Sequence, residues 1–145
     1  MSELEDFVRS ITARHVEADT ALHNGDVALR KAMWSSNEPV TLFGAMKNIT
    51  ELAELGPAFD WLASQFSNCS QFEFEIVAAG VSGDLAYTVA YEHTTAAFGK
   101  EPARSYTLRV THAYRREDGE WKVVHRHADV LADVGGSPPG GSGRP

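Results

Sequence analysis

The residues best suited to chemistry are histidines, and three of the chain's six lie in one stretch, Tyr106 to Asp129. That stretch holds two runs in which apolar residues alternate with polar ones, joined at Asp118-Gly119. Asp-Gly between alternating runs predicts a β-hairpin, because a type I′ turn needs positive φ at both central residues. A two-residue loop sets Tyr114 opposite Val123, His112 opposite His125 and Val110 opposite His127. Side chains alternate across a strand, so Leu108, Val110, His112, Tyr114, Trp121, Val123, His125 and His127 are expected on one face. Arg109, Thr111, Arg115, Lys122, Val124 and Arg126 fall on the other.

Three chemistries suit that cluster. An imidazole titrates near pH ~6.5 and can move protons at neutral pH; His112, with His93 on the preceding strand, is the candidate for acid–base work. The same residues can simply bind. Trp34, Phe43, Trp61, Tyr87, Tyr91 and Tyr114 would then supply an apolar wall, and His125 and His127 its polar points. Three histidines can also ligate zinc, but each ligand ring would need a carboxylate or carbonyl behind it and the nearest acid in sequence is Asp129, so no metal or other cofactor is expected.

The elements that must position these residues follow from periodicity. Ser2 and Glu5 form a capping-box pattern. Phe7, Val8, Ile11, His15, Ala18 and Leu22 recur at helical spacing, and Asn24-Gly25 ends the helix. Asp26 caps a short second helix, Val27 to Trp34. Val40 to Phe43 reads as a short strand. Asn48 and Glu51 suggest a further capping box ahead of a third helix carrying Leu52, Leu55, Phe59, Leu62 and Phe66, kinked or restarted at Gly56-Pro57. Strands follow: Phe72, Phe74 and Ile76 alternate with glutamates. Leu85, Tyr87, Val89, Tyr91, His93 and Thr95 then alternate with Ala86, Thr88, Ala90 and Glu92. Residues 1–131 are expected to form one domain, and the Gly/Pro/Ser-rich 132–145 a disordered tail. Helices segregated from an antiparallel sheet make an α+β fold. A sheet facing helices on one side only curls around them, giving a cone-shaped αα-β-α-ββββ arrangement with a pocket at its open end.

Composition narrows the partners. The net charge of −7 disfavours nucleic acid or an anionic membrane surface. The basic residues between Arg104 and Arg126 are interleaved with carboxylates. A single cysteine, Cys69, permits no internal disulfide. With no apolar run near ~20 residues and an acidic N-terminus, a cytoplasmic protein is expected.

The element order, the Asn24-Gly25-Asp26 stop and the hairpin RVTHAYRREDGEWKVVHRHAD resemble the nuclear-transport-factor-2-like superfamily. Within it they are most similar to its SnoaL-like and ketosteroid-isomerase-like small proteins; the closing strands also resemble the association domain of calmodulin-dependent kinase. The resemblance implies a small-molecule cavity, acid–base catalysis of isomerase, cyclase or dehydratase type, or a non-catalytic assembly module. The isomerase machinery maps onto Ala18, Phe43, and Leu108 or Thr111, none of which can perform its role. The cyclases' histidine could be His112 or His93. Their acidic partner has no counterpart on the expected inner face of the hairpin, and the nearest acids, Asp19 and Asp60, lie off their helices' apolar stripes. The resemblance also implies a homodimer through the convex sheet face, with Arg109, Thr111, Arg115, Lys122 and Arg126 opposite Glu73, Glu75 and Glu92.

Overall fold

A computed structural model describes residues 2–131. The expected tail, 132–145, lies outside the described residues.

Helix α1 spans Glu3–Leu22 and starts on the capping box, with the Ser2 hydroxyl accepting from the Glu5 N–H and the Glu5 carboxylate from the Ser2 N–H. Its inner stripe is Phe7, Ile11, His15, Ala18, Asp19 and Leu22. Helix α2, Ala28–Met33, follows a turn in which Gly25 takes a φ of 93°. The Asp26 carboxylate accepts from the Ala28 N–H there. Strand β1 is Thr41–Phe43. The expected capping box at Asn48 and Glu51 does not form. Asn48–Ile49 instead makes a short strand, β2, antiparallel to β1. A 3-10 turn, Leu52–Glu54, then passes into α3, Leu55–Gln65. Pro57 falls in the first turn of α3, where its missing N–H has no intrahelical partner to lose. Four long strands complete the chain: β3 (Phe66–Ser82), β4 (Leu85–Phe98), β5 (Arg104–Glu117) and β6 (Glu120–Val130).

The six strands form one sheet in the order β2-β1-β6-β5-β4-β3. All neighbours are antiparallel except β1 and β6, which run parallel. The fold is therefore α+β, helices first and then a mixed, mostly antiparallel sheet. Its main core joins the inner stripe of α1 to Met33, Trp34, Val40, Leu42, Ile49, Leu55, Phe59, Tyr114 and Val123.

The closing hairpin turns where expected. Glu117 pairs with Glu120, and Asp118 and Gly119 both have positive φ. Tyr114 faces Val123 as expected, but the next pair is Ala113 with His125, so Val124 is an extra residue in β6. A bulge shifts every later residue by one position, and with period-2 alternation each changes face. His112 consequently faces Arg126, and Thr111 faces His127. This corrects the expected three-histidine face: Arg126 enters the interior while His125 and His127 sit on the outer side. Strand β1 fits the shifted register. Leu42 pairs with Arg126 inside, and Thr41 and Phe43 pair with His125 and His127 outside.

On β4 the residues facing inward are small ones and one glutamate. Ala86 pairs with Tyr114, Thr88 with His112, Ala90 with Val110, and Glu92 with Leu108. The large side chains of β5 already fill the space beneath α1, so small partners pack opposite Val110, His112 and Tyr114. Tyr87, Tyr91 and His93 consequently point outward, and Tyr87 is 46% exposed. Two of the charges expected on the convex face, Glu92 and Arg126, are buried and paired with each other. Arg109, which remains outside, is bridged to Asp129 of its own chain.

Candidate functional site

Two ion pairs lie inside the molecule, and the register shift in β6 accounts for one of them. Arg126 makes a two-point contact with Glu92, Nη1 to Oε2 at 2.7 Å and Nη2 to Oε1 at 2.9 Å. Arg30, from α2, donates to the Asp19 carboxylate of α1. All four side chains are buried. Burial alone raises the Asp19 carboxyl, but the Arg30 guanidinium and then His15 outweigh it and hold the group well below the usual carboxylate range. Burial likewise disfavours charge on Arg126, and the Glu92 carboxylate more than restores it.

Three histidines surround these pairs. His15 Nε2 lies 2.8 Å from the Tyr114 hydroxyl, which lies 2.8 Å from Thr88 Oγ1. The His15 ring stacks on Phe74 and packs 4.5 Å from the His112 ring. His112 Nε2 lies 3.4 Å from Arg126 Nη1, and since arginine only donates, Nε2 accepts. The neutral ring then carries its proton on Nδ1, a buried atom with no hydrogen-bond partner among the described residues. Burial, then the neighbouring His15 and Arg126, hold His112 well below the usual histidine range. His112 is thus a neutral, enclosed group.

His23, the C-cap of α1, is placed differently. Its Nδ1 lies 2.6 Å from the Asp19 carbonyl oxygen and must donate to it. That contact fixes the tautomer and leaves Nε2 as an acceptor, 3.3 Å from the Tyr106 hydroxyl. Burial lowers its pKa, so Nε2 keeps its lone pair at neutral pH.

These groups meet a cavity of about 580 Å³. It opens between the end of α1, α2, the Gly44–Lys47 loop, α3 and the inner face of β4 to β6. Leu22, Leu42, Met46, Pro57, Ala58, Phe59, Trp61, Leu62, Phe66 and Leu108 form its apolar wall. His23, Arg30, Glu92, Tyr106 and Arg126 are its buried polar floor, and Lys47 stands at the exposed edge. A mostly apolar concavity with a few convergent polar groups is the usual form of a small-molecule site.

Of the residues singled out from the sequence, Trp61 lines this cavity, half exposed. His112 borders it only through Arg126. Tyr114 is fully buried behind it, and Trp34 belongs to the core, packed against Phe59. The remainder lie on the outer face. His93 bridges Thr107 Oγ1 and Glu75 Oε1 at 2.9 and 2.8 Å. Phe43 meets His125 and His127 edge-on, and Thr41 Oγ1 lies 2.7 Å from His125 Nδ1. Tyr91 and His127 share a shallow outer groove of about 290 Å³ with the Arg109–Asp129 bridge. Tyr87 stands exposed beside them in sequence but apart from the cavity.

Asp19, expected off the apolar stripe of its helix, and Glu92, expected on the convex face, are acids inside the molecule. Asp19 follows His15 by four residues and precedes Leu22 by three, which is the spacing of the apolar stripe itself. Glu92 shares the face of Ala86, Thr88 and Ala90, so choosing the small residues as the inner face finds it. Asp60, the other candidate acid, is exposed and bridged to Lys31. Among the described residues no helix is long and apolar enough to cross a membrane.

Comparison with known proteins accords with this geometry. Residues 10–133 match the SnoaL-like domain family. A comparison with curated proteins finds no match. Among solved structures, the chain is similar to an NTF2-like protein of unknown function from Pseudomonas putida KT2440, with a TM-score of 0.66 at 20% identity over 86% of this chain and 84% of that one. It is also similar to a protein from Streptomyces avermitilis described as a candidate dehydratase of the NTF2-like family, with a TM-score of 0.68 at 18% identity over 86% and 93% of the two chains. A nuclear transport factor 2-like superfamily protein from Salmonella enterica gives a TM-score of 0.69 at 15% identity over 94% and 95%. At these identities the structural likeness speaks for the fold alone, which is NTF2-like, while the family match spans most of the sequence: the chain belongs to the SnoaL-like domain family.

Proposed function

We propose that the protein binds a small, largely apolar organic molecule in the cavity between its helices and the inner face of its sheet. One observation carries this reading: an apolar wall that ends on a buried polar floor of His23, Arg30, Glu92, Tyr106 and Arg126. A core built only for stability would fill that space with side chains, because interiors pack to crystal-like density. Leu62 is half-buried on the wall, so enlarging it fills the cavity without opening the core. Nile red, a neutral solvatochromic dye, should bind the wild-type protein with a blue-shifted emission. Leu62→Trp should weaken that uptake at least about tenfold, or ~1.4 kcal/mol, with the unfolding midpoint little changed. Equal uptake by the two proteins would refute the cavity as the site.

A second reading, proton transfer on the bound molecule, is favoured by His23. It is the histidine that lines the cavity, its tautomer is fixed by the Asp19 carbonyl, and its Nε2 lone pair is free of a proton at neutral pH. In such a step the C–H bond beside a ligand carbonyl breaks, its proton passes to Nε2 and the electron pair moves to the carbonyl oxygen. With 2-indanone in deuterated water, NMR should show protein-catalysed exchange of the hydrogens beside the carbonyl. Exchange that persists in His23→Gln would remove this reading and leave the binding reading untouched.

A further inference from the structure

Arg30 is the polar group of the cavity whose hydrogen bonding is least complete. Its side chain is more than nine-tenths buried, and its guanidinium presents five N–H donors in a rigid fork. One nitrogen, Nη2, donates to Asp19, and the guanidinium lies 5.2 Å from the centre of the Phe59 ring. Among the described residues no acceptor meets the other donors, and these are not enclosed but open onto the cavity that the residue lines. Arg126, on the same floor, is by contrast held at both ends by Glu92. Donors that open onto a largely apolar cavity are placed to meet a bound molecule, so the open side of Arg30 is where a ligand acceptor belongs.

The charge of the floor selects the kind of acceptor. Two carboxylates, Asp19 and Glu92, already balance two guanidiniums, Arg30 and Arg126. His15, His23 and His112 are kept neutral by burial. A carboxylate entering this floor would be a third buried anion against two cations, and it would surrender its hydration to reach them. Lys47 could offset it only from the exposed rim, where solvent screens it. An uncharged carbonyl oxygen accepts from the guanidinium without that penalty, and the Phe59, Leu62 and Leu108 wall covers an apolar skeleton.

Resting on the cavity reading above, we propose that Arg30 is a ligand-recognition residue that reads an uncharged carbonyl oxygen, so that the natural ligand is a neutral apolar ketone, ester, lactone or quinone and not an acid. Three molecules with one ring skeleton test this: fluorene, 9-fluorenone and fluorene-9-carboxylate, titrated calorimetrically into the full chain at neutral pH. Fluorenone should bind at least about tenfold more tightly than fluorene, and the carboxylate more weakly than fluorenone. Removing both members of the pair in Asp19→Asn/Arg30→Met avoids stranding a buried charge; there the ketone and the hydrocarbon should converge. Arg30→Lys, which keeps a cation against Asp19 but loses the planar fork, should lose most of the preference and serves if the double variant does not fold. Equal binding of fluorene and fluorenone to the wild-type protein would overturn the proposal, as would tightest binding of the carboxylate or a ketone preference that survives both variants. If none of the three binds, the cavity reading itself fails; fluorene binding without a ketone preference leaves that reading in place.

Discussion

Replacing Glu92 with leucine should lower the free energy of unfolding by about 3–5 kcal/mol, because it leaves the Arg126 guanidinium buried and uncompensated. Arg126 cannot escape by deprotonating, since an arginine side chain holds its proton throughout the accessible pH range. Its route to water is confined to the cavity whose floor it forms. The bulge at Val124 fixes its face, and β1 and β5 flank β6 on both sides. His112 Nε2, at 3.4 Å, is the acceptor that remains. Domains of this size are stable by about 5–15 kcal/mol, so the single variant removes a large share of the total. Glu92→Leu/Arg126→Met, which removes both charges, should recover most of the loss, since an apolar pair of similar volume is often as stable as a buried ion pair. Urea unfolding followed by circular dichroism measures both. A loss below about 1 kcal/mol in the single variant would place the pair in a wetter setting than its burial indicates.

Acidification from pH 7.5 to 5.5 should lower the stability steeply. His15, His23 and His112 have folded pKa values below the ordinary histidine value, in each case chiefly because burial disfavours the charged ring. The sign follows from proton counting. Below pH ~6.5 the unfolded chain takes up protons that the folded protein refuses. The stability these residues contribute is therefore complete above that pH and is lost as pH falls toward their folded values. Each contributes a slope of up to ~1.4 kcal/mol per pH unit, so three together give up to ~4. Asp19, held well below its ordinary value, adds a loss in the same direction, but only below about pH 4. Urea midpoints at pH 7.5, 6.5 and 5.5 measure the slope. His112→Leu should flatten it, since it removes the ring most deeply held in the neutral form along with its unpartnered Nδ1. A midpoint independent of pH over this range would mean that the three rings keep contact with water.

Much of the architecture follows from local pattern. The capping box of α1, the Asp118-Gly119 turn, the third helix and the long alternating strands each rest on interactions within a few residues or across one turn. Local chemistry fixes those before tertiary contacts form. The fold class follows from them, and so does the family, because the order of elements and the hairpin motif are properties of the chain itself.

The candidate site is different, because its residues are chosen by which face turns inward. His125 and His127 look like partners of His112 on an unbroken ladder. One extra residue at Val124 turns them outward and brings Arg126 in, and the one sign of it in the sequence is the pair Val123-Val124, two apolar residues where the alternation asks for a polar one. The inner face of β4 is decided in the same way. The tyrosines look like pocket wall, yet the space left by His112, Tyr114 and α1 admits only Ala86, Thr88, Ala90 and Glu92. The pairs Asp19–Arg30 and Glu92–Arg126 join residues 11 and 34 positions apart, beyond the reach of helical or hairpin spacing. The sequence by itself determined the three helices, five of the six strands, their order and the hairpin that closes the sheet, but not the short strand β2. The tertiary structure alone decided which polar groups meet in the cavity, because a single-residue bulge inverts a strand's faces and only packing against the helices selects the face that is buried.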